Sequence, residues 1–438
     1  MSAALTWQSR RATSLHGDII VPGDKSVSHR AIMFAALANG ISRIEGFLEG
    51  EDTRATAAAF AQMGVKIETP SSSERIVHGV GLHGLKAPIA PIDCGNAGTG
   101  MRLLAGLLAG QSFDSELCGD ASLSRRPMRR VIDPLQLMGA RIDSSDGALP
   151  PLRIVGGRKL EGISFTSAIA SAQVKSAILL AGLYAKGTTE IREAHPTRDY
   201  TERMLGAFGW PIEFGSGWAR LTGDHRLQAS DVVVPADFSS AAFFIVAASI
   251  TPGSSLLLRS VGINPRRTGL LDALRLMGAD IIELNRVERG GEWLADLQVR
   301  YAPLHGIEVP ETLVPDMIDE FPILFVAAAA ANGTTRISGA AELRVKESDR
   351  LAMMARGLAA LGIEVTERPD GADIVGGRIK AGRVESAGDH RIAMAFAVAG
   401  LVCEAGVIVD DCANVATSFP GFIELANGCG FAIERVTD

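Results

Sequence analysis

The 438-residue sequence has few cysteines, few aromatic residues and no long apolar run. Its five cysteines are odd in number and include no C-x-x-C pair, which is typical of reduced thiols in a protein without disulfides. The histidines show no ligand spacing with the cysteines, so the sequence predicts no zinc site. The longest apolar runs, residues 321–331 and 392–403, are shorter than the roughly 18 residues of a membrane span.

An excess of positive charge and a signal-peptide core are also missing. The formal net charge is −7, which argues against nonspecific binding to nucleic acid. The N-terminal residues contain no apolar stretch of signal-peptide length, so we expect a cytoplasmic protein that does not bind a membrane. A chain of this length and a hydrophobic content of 47% suffice for large cores in several domains.

The sequence repeats one short phrase six times. Each copy joins the end of an amphipathic helix, a glycine suited to the position after the helix, and a β-branched strand start. The six glycines are Gly64, Gly139, Gly209, Gly278, Gly362 and Gly430. Their spacing of roughly 70 residues exceeds that of solenoid repeats and indicates six larger units.

A second phrase, a polar start followed by a helix that is apolar nearly all round, recurs in the same order. Helices of this kind lie inside a protein. Six units therefore predict an α/β protein of two lobes with three repeats each, in which buried helices are surrounded by sheets and outer helices. We expect residues 1–22 plus 242–438 to form one lobe and residues 23–241 the other, with one crossing within residues 232–244.

The starts of the buried helices carry polar and cationic side chains. The first begins with Lys25 in PGDKSVSHR, where Asp24 precedes the lysine, so the glycine cradle of a nucleotide P-loop is missing. Helix N-termini favour anions, and lysine or arginine in the first turn is disfavoured unless an anion lies nearby. A cleft between the lobes lined by six such starts predicts a substrate with several negative charges. The competing interpretation is that these residues are ordinary N-caps or paired charges.

Two charged runs, a cysteine beside one of them and two aspartates are further candidates for functional groups. SRRPMRR (124–130) is either a solvated basic patch or part of an anion site, and RVKESDR (344–350) is either a salt-bridged helix start or a cluster of functional groups. Cys118 precedes the first of these runs and is more simply a strand-end thiol than a nucleophile. Asp316 and Asp389 each precede a buried helix, where a tuned carboxylate could serve in acid–base chemistry.

These motifs together resemble the 5-enolpyruvylshikimate-3-phosphate (EPSP) synthase family of enolpyruvyl transferases. The resemblance covers the chain from Leu15 onward through PGDKSVSHR, GNAGTGMR, LSRRPM, SAQVKSA, VPDMIDEFP, RVKESDR, GDHRIAM and ATSFP. It implies a fold of six βαβαββ repeats, three per lobe, with buried parallel helices, outer sheets and a double crossover. The SAQ and TRD motifs resemble the second bacterial class of the family.

The resemblance also implies two overlapping sets of binding residues. The set for shikimate 3-phosphate is Lys25, Ser26, Arg30, Ser171, Ala172, Gln173, Thr197, Arg198, Asp316 and Lys346. The set for phosphoenolpyruvate is Lys25, Asn96, Gly98, Thr99, Arg126, Gln173, Glu347, Arg350 and Arg391. No metal and no organic cofactor is implied.

The reaction implied by the resemblance is an addition followed by an elimination through a tetrahedral intermediate. Asp316 is expected to take the proton of the 5-hydroxyl, and Lys25 and Glu347 are the acid–base candidates near the methyl carbon. Asp389 and His390 are expected to support them. Loss of a methyl proton and of phosphate then gives the enol ether.

The sequence departs from better-known members of the family near its C-terminus. ATSFP, residues 416–420, lacks a lysine that many members carry before T-F-P, which leaves one phosphate contact unassigned. Gly98 has no Cβ atom to crowd the phosphoenolpyruvate site, so we expect glyphosate to inhibit competitively and Gly98→Ala to weaken that inhibition.

Two other functions fit the fold or the charges. The related enolpyruvyl transferase that acts on UDP-N-acetylglucosamine typically has a reactive cysteine in the loop before its R-P motif, whereas Ala121 to Arg125 contain none. A noncatalytic anion-binding protein would not need the carboxylates of Asp316 and Glu347. We expect a monomer, because a charged cleft is the surface feature visible in the sequence.

Overall fold

The computed structural model describes residues 5–436, which form two compact units. The first unit comprises the residues up to Pro22, Ala236–Val287 and the residues from Trp293 onward. The second unit comprises Gly23–Pro235 and Glu288–Glu292. The boundary expected between residues 241 and 242 would cut a buried helix, whereas the chain changes units at Pro235–Ala236, just before that helix begins.

Twelve α-helices form within residues 5–436. They are α1 Lys25–Leu37, α2 Glu51–Gln62, α3 Gly98–Ala109, α4 Arg129–Leu137, α5 Ala172–Gly182, α6 Tyr200–Ala207, α7 Phe238–Ile250, α8 Gly269–Leu276, α9 Phe321–Ala330, α10 Arg350–Ala360, α11 His390–Gly400 and α12 Phe422–Gly428.

The same residues contain 23 β-strands. They are β1 Thr6–Arg10, β2 His16–Ile19, β3 Asn39–Glu45, β4 Lys66–Ser71, β5 Glu74–Val80, β6 Ile92–Asp93, β7 Ser115–Cys118, β8 Arg141–Ser145, β9 Leu149–Val155, β10 Ser164–Ser167, β11 Thr188–Glu193, β12 Ile212–Gly215, β13 Trp218–Thr222, β14 Val232–Val233, β15 Ser255–Gly262, β16 Asp280–Arg289, β17 Glu292–Arg300, β18 Thr334–Ile337, β19 Glu364–Arg368, β20 Gly371–Val375, β21 Gly382–Glu385, β22 Val407–Asp410 and β23 Ala432–Val436.

Each unit contains three sheets that share one topology. The second unit has the orders β14-β3-β5-β4, β6-β7-β9-β8 and β10-β11-β13-β12. The first unit has β2-β15-β17-β16, β21-β22-β1-β23 and the three-stranded β18-β20-β19. In the five four-stranded sheets the first two strands are parallel and the third is antiparallel to the second.

The strand and helix order confirms six βαβαββ repeats, three in each unit. In the second repeat, for example, α3 connects β6 to the parallel strand β7, and α4 then leads to the hairpin β8–β9. Parallel neighbours need a crossover of this kind, which a helix supplies. In the fifth repeat two isolated parallel bridges, His305 to Asn332 and Glu308 to Arg336, stand in place of a first strand.

The inner helices α1, α3, α5, α7, α9 and α11 are buried because, beyond their polar starts, their residues are apolar on nearly all faces. Every side chain of α7 is buried. Close packing also depends on small residues: a Cβ atom on Gly106 of α3 would lie 2.2 Å from the backbone oxygen of Ala177 on α5. Glycine therefore allows these two helices to approach backbone to backbone.

The outer helices end as the repeated glycine phrase predicts. Gly64, Gly139, Gly209, Gly278, Gly362 and Gly430 all have positive φ, between 77° and 100°. In each case the amide after the glycine donates to a carbonyl five residues earlier, as Val65 does to Phe60 at 3.0 Å. This is the Schellman end of a helix, in which a left-handed residue satisfies the last carbonyl groups.

Within residues 5–436 no helix combines the length and the hydropathy that crossing a membrane requires.

Candidate active site

The start of α1 fixes Lys25 at the edge of the second unit's inner helices. Asp24 caps the helix, its Oδ1 accepting from the Val27 amide at 2.8 Å. The Lys25 ammonium donates to Asp52 Oδ2 on α2 at 3.0 Å, with 21% of the lysine side chain and 8% of the aspartate side chain exposed. A partly exposed ammonium whose direction is set by a buried carboxylate is suited to contact an anion.

Arg30, one turn further along α1, is buried and donates hydrogen bonds to residues of the second unit. Its guanidinium donates to the Thr201 hydroxyl at 2.7 Å, the Ser26 carbonyl at 2.9 Å and the Ser176 hydroxyl at 2.8 Å. Burial lowers the pKa of Arg30 to about 10. These contacts make Arg30 a tie between α1, α5 and α6, and its role toward a substrate stays a prediction.

Lys175 in the first turn of α5 shows that a cation at an inner helix start does not require an external anion. Its ammonium lies 2.9 Å from a carboxylate oxygen of Glu193 and 2.9 Å from one of Glu202. Burial opposes the lysine's charge, but the two carboxylates outweigh it and raise the pKa of Lys175. Lys175 is therefore a paired charge, the competing interpretation left open by the sequence, because residues distant in sequence supply the anions.

At the start of α3 two guanidinium groups flank Gly98. A Cβ atom on Gly98 would lie 3.1 Å from Nη1 of Arg126 and 3.2 Å from Nη1 of Arg102. Arg126 donates to Asn96 Oδ1 at 2.6 Å, and the Asn96 amide donates to Asp120 at 2.7 Å. The predicted residues Asn96, Gly98 and Arg126 thus come together at one helix start.

Gln173 connects α5 to the same place. Its Oε1 accepts from Arg102 Nη1 at 2.7 Å, and its Nε2 donates to the Thr99 hydroxyl at 2.9 Å. Ser171 caps α5 with its hydroxyl 3.5 Å from the Val174 amide, next to Ala172 at the first helical position. Arg102 was not assigned to either substrate from sequence, although its place four residues after Gly98 on a predicted helix was the available signal.

Thr197 and Arg198 lie between β11 and α6. The Thr197 hydroxyl donates to Glu193 at 2.6 Å, and its carbonyl accepts from Lys175 at 3.2 Å. Thr197 is therefore tied to the buried charges of α5, while Arg198 is half-buried. The arginines of the basic run 124–130 have different surroundings. Arg126 donates to Asn96, whereas Arg125 and Arg129 are exposed.

In the first unit Arg350 at the start of α10 is the centre of a buried charge cluster. Its guanidinium lies 2.8 Å from Asp389, 2.6 Å from Glu347 and 3.6 Å from Asp319, with 1% of the side chain exposed. Burial opposes its charge, but the carboxylates of Asp389 and Glu347 outweigh it and raise the pKa of Arg350. Three of the predicted site residues of this unit, Glu347, Arg350 and Asp389, are thus in direct contact.

Asp389 has a second contact at the start of α11. Its Oδ1 accepts from the Arg391 backbone amide at 3.0 Å. His390, which follows Asp389 in sequence, is the first residue of the helix and is buried. Burial would raise the pKa of Asp389, but the Arg350 charge outweighs it and lowers that pKa. Asp389 therefore stays ionised, contacts the Arg350 side chain and caps α11.

The two aspartates before α9 have different surroundings. Asp316 Oδ2 lies 3.2 Å from Nη1 of Arg266, a half-exposed arginine. Asp319 lies instead in the buried cluster, 3.6 Å from Arg350 and 3.1 Å from Arg267. The structure brings Asp319, rather than Asp316, next to the predicted phosphoenolpyruvate ligand Arg350.

Lys346 and Arg344 in RVKESDR have separate surroundings. Arg344 lies 2.9 Å from both Asp349 and Glu367, which makes it a structural ion pair. Lys346 lies 3.9 Å from Glu342 with 23% of its side chain exposed, and burial lowers its pKa.

Cys118 in the second unit is a half-buried free thiol, and burial raises its pKa, which disfavours a nucleophilic thiolate.

The whole chain is similar to proteins of one family. A family model described as EPSP synthase (3-phosphoshikimate 1-carboxyvinyltransferase) matches residues 10–425. Among curated proteins, the 3-phosphoshikimate 1-carboxyvinyltransferase of Xanthomonas campestris pv. campestris (strain B100) is 70% identical over 427 residues, which are 98% of this chain and 98% of that protein. The protein of the same name from Xanthomonas oryzae pv. oryzae (strain PXO99A) is 68% identical over 98% of this chain and 97% of its own.

Solved structures give the same picture. The EPSP synthase from Acinetobacter baumannii superposes with a TM-score of 0.91 and 50% identity, covering 99% of this chain and 100% of that one. The enolpyruvyl transferase NikO from Streptomyces tendae has a TM-score of 0.80 at 18% identity over 99% of both chains, a likeness of fold alone.

Proposed function

The chain belongs to the EPSP synthase, or 3-phosphoshikimate 1-carboxyvinyltransferase, family, and from this premise we propose how its residues carry out that family's reaction. The enzyme transfers the carboxyvinyl group of phosphoenolpyruvate to the 5-hydroxyl of shikimate 3-phosphate and releases phosphate, a step of the shikimate pathway to aromatic amino acids. The observation that carries the assignment is the family match over residues 10–425 with 70% identity to curated relatives.

The second unit is proposed to supply most of the ligands of shikimate 3-phosphate. Their common feature is a position near the starts of α1, α5 and α6, where unsatisfied amides and cationic side chains favour a phosphate. The residues are Lys25, Ser26, Arg30, Ser171, Ala172, Gln173, Thr197 and Arg198. Lys25 is the best supported of them, because its ammonium is held by Asp52 and keeps part of its surface exposed.

Phosphoenolpyruvate is proposed to bind cationic groups from both units. Asn96, Gly98, Thr99 and Arg126 gather at the start of α3, and Arg102 joins them through Gln173. From the first unit, Arg350 and Arg391 are the proposed ligands, with Lys346 serving shikimate 3-phosphate. Stabilisation by preorganised arginines and lysines at a negatively charged transition state is the largest contribution expected in such a site.

The carboxylate that accepts the 5-hydroxyl proton is proposed to be Asp316, to which the resemblance assigns this role and a place among the ligands of shikimate 3-phosphate. The Asp316 side chain is buried, with 10% of it exposed, and its Oδ2 lies 3.2 Å from Arg266. Asp319 is less suited to accept a proton, because it lies 3.1 Å from Arg267 and 3.6 Å from Arg350, and cations at these distances stabilise the ionised carboxylate. These contacts make Asp319 a counter-ion of the two arginines.

The proposed reaction proceeds in two steps. An acid, Lys25 or Glu347, protonates the methylene carbon of phosphoenolpyruvate. The 5-oxygen of shikimate 3-phosphate attacks C2, and the proton of the 5-hydroxyl passes to Asp316. The tetrahedral adduct then loses a methyl proton and phosphate, which restores the double bond in the enol ether. Asp389 is proposed to hold the Arg350 side chain during both steps and to cap the helix that carries Arg391, with His390 in support.

The proposed reaction requires that water be excluded from the reacting carbon. Glyphosate is proposed to compete with phosphoenolpyruvate for the same cationic groups. The reaction as written needs no metal and no organic cofactor. A cytoplasmic location and a monomeric state stay predictions from the sequence.

The test is a phosphate-release assay in which purified protein is mixed with phosphoenolpyruvate and one of two acceptors. Release with shikimate 3-phosphate and not with UDP-N-acetylglucosamine is the expected result. The UDP-sugar is the weaker candidate, because the family match and the curated relatives carry the shikimate name. Release with the UDP-sugar alone would overturn the acceptor, and release with neither would overturn the activity.

A further inference from the structure

Arg267 is a buried arginine that neither substrate set includes. It lies in the loop before α8, and 4% of its side chain is exposed. Its guanidinium is 3.1 Å from Asp319, 3.5 Å from Glu320 and 3.5 Å from Asp237. It also donates to the hydroxyl of Ser239, which in turn donates to Glu320. Arg267 thus links the start of α7 to the start of α9.

Two of its carboxylate partners are shared with the arginines proposed to bind phosphoenolpyruvate. Asp319 uses Oδ2 toward Arg267 and Oδ1 toward Arg350, at 3.1 and 3.6 Å. Glu320 Oε1 lies 3.5 Å from Arg267 and 4.0 Å from Nη1 of Arg391. Each proposed ligand is therefore connected to Arg267 through one carboxylate.

Because these groups are largely shielded from water, the loss of one charge changes how strongly the others interact. The Glu320 side chain has no exposed surface, and the Asp319 side chain is 18% exposed. A buried carboxylate that loses one cationic partner draws more strongly on the other, because water cannot replace the lost contact. Without Arg267, Asp319 and Glu320 would hold Arg350 and Arg391 more tightly and compete with an anionic substrate for them.

We infer that Arg267 is a positioning residue for phosphoenolpyruvate: it neutralises Asp319 and Glu320 so that Arg350 and Arg391 keep their donors available to the substrate anion. The inference rests on the proposed function, and it assigns to a residue outside the substrate sets a specific effect on one of the two substrates. Shikimate 3-phosphate, whose proposed ligands lie mostly in the second unit, should be little affected.

The experiment compares steady-state kinetics and shikimate 3-phosphate binding in Arg267→Met, Arg267→Lys and a control. We expect Arg267→Met to raise the KM for phosphoenolpyruvate at least about tenfold, the effect of losing one charged hydrogen-bonded partner. Arg267→Lys keeps the charge and should lie between it and the wild type. The dissociation constant of shikimate 3-phosphate, measured by calorimetry, should stay within about threefold.

Arg75→Met is the matched control. The Arg75 side chain is also 4% exposed and contacts the carboxylate of Glu49 and several carbonyls, all at a distance in sequence from the proposed ligands. It tests whether loss of any buried arginine gives the same kinetics. An equal rise in the KM for phosphoenolpyruvate in Arg75→Met would overturn the inference.

A second variant separates charge balance from packing. Glu320→Gln added to Arg267→Met removes one of the carboxylates left without compensation, and we expect it to recover part of the affinity for phosphoenolpyruvate. If Arg267→Met does not fold, Arg267→Lys with and without Glu320→Gln gives the same comparison. An unchanged KM in the single variants, or no recovery in the double variant, would refute the role of Arg267. A wild-type protein that releases no phosphate would instead refute the proposed function.

Discussion

Nη1 of Arg126 lies 3.1 Å from the point at which a Cβ atom on Gly98 would stand. That separation is tight for a carbon–nitrogen contact, so a methyl group there would push the guanidinium aside by a few tenths of an ångström. Gly98 is therefore the residue that allows the cationic side chain to sit against the start of α3. Any ligand that depends on the position of this guanidinium should be sensitive to the change.

Gly98→Ala is expected to raise the inhibition constant of glyphosate about tenfold or more, and the KM for phosphoenolpyruvate by less. Both ligands are proposed to contact the Arg126 guanidinium. We expect glyphosate to lose more affinity than phosphoenolpyruvate when the added methyl group reduces the space beside that guanidinium. Inhibition constants and KM values of both proteins measure the effect.

Gly206→Ala is the control for the glycine substitution itself. Gly206 lies on the outer helix α6, and a Cβ atom there would have no neighbour within 4 Å. We expect it to leave both constants unchanged and to stabilise the helix by about 1 kcal/mol. Equal inhibition constants for Gly98→Ala and the wild type would refute the steric explanation.

Asp316→Asn and Asp319→Asn are expected to differ in turnover. Loss of a proton acceptor in the reacting site lowers kcat by about 100- to 10,000-fold, and we expect this for Asp316→Asn. Asp319→Asn removes a counter-ion of Arg267 and Arg350 and should lower kcat less, with its main effect on the KM for phosphoenolpyruvate. The measurement is kcat by phosphate release for both variants at saturating substrates.

The amide keeps the size and part of the hydrogen bonding of each carboxylate, so these two variants form a matched pair. Their thermal stability should be compared to confirm that both are folded. A larger loss of kcat in Asp319→Asn than in Asp316→Asn would contradict the assignment of the base to Asp316.

His29 is expected to make the stability of the protein depend on pH. It is fully buried on α1 with Nδ1 2.7 Å from the Thr56 hydroxyl, and burial lowers its pKa from 6.5 to about 3. The folded state therefore keeps the ring neutral, while the unfolded state takes up a proton as the pH falls below 6.5. The stabilisation is complete above that pH and is lost progressively toward the folded-state pKa of about 3.

His29→Gln removes this titration while an amide can still bond to Thr56. From pH 6.5 to about pH 5 the wild type should lose about 2 kcal/mol that the variant does not lose. The shift of the unfolding temperature between about pH 7 and about pH 5 measures this, and other titrating groups cancel in the comparison. His16→Gln, at an exposed position, is the control, and the same pH shift in wild type and His29→Gln would refute the prediction.

The fold was predictable from the sequence because it rests on short-range patterns. A glycine such as Gly64 ends a helix through hydrogen bonds to residues within the last turn, and an all-apolar stretch such as α7 has no face to turn toward water. Both signals recur six times, so the number and order of the repeats followed without any knowledge of distant contacts.

The partners of the charged residues could not be predicted in this way. Lys175 pairs with Glu193 and Glu202, and Arg267 with Asp319, at separations far beyond one helical turn. Asp316 and Asp319 are only three residues apart in sequence. Asp316 nevertheless lies beside Arg266 and Asp319 beside Arg350, a difference that the sequence does not show.

The sequence alone thus determined the repeat, the buried helices and the cationic residues at their starts, because helix periodicity and helix ends are local properties of the chain. Only the tertiary structure decided which of those charges are neutralised inside a unit, because packing brings together carboxylates and cations from distant segments, and a buried charge is stable only beside its partner.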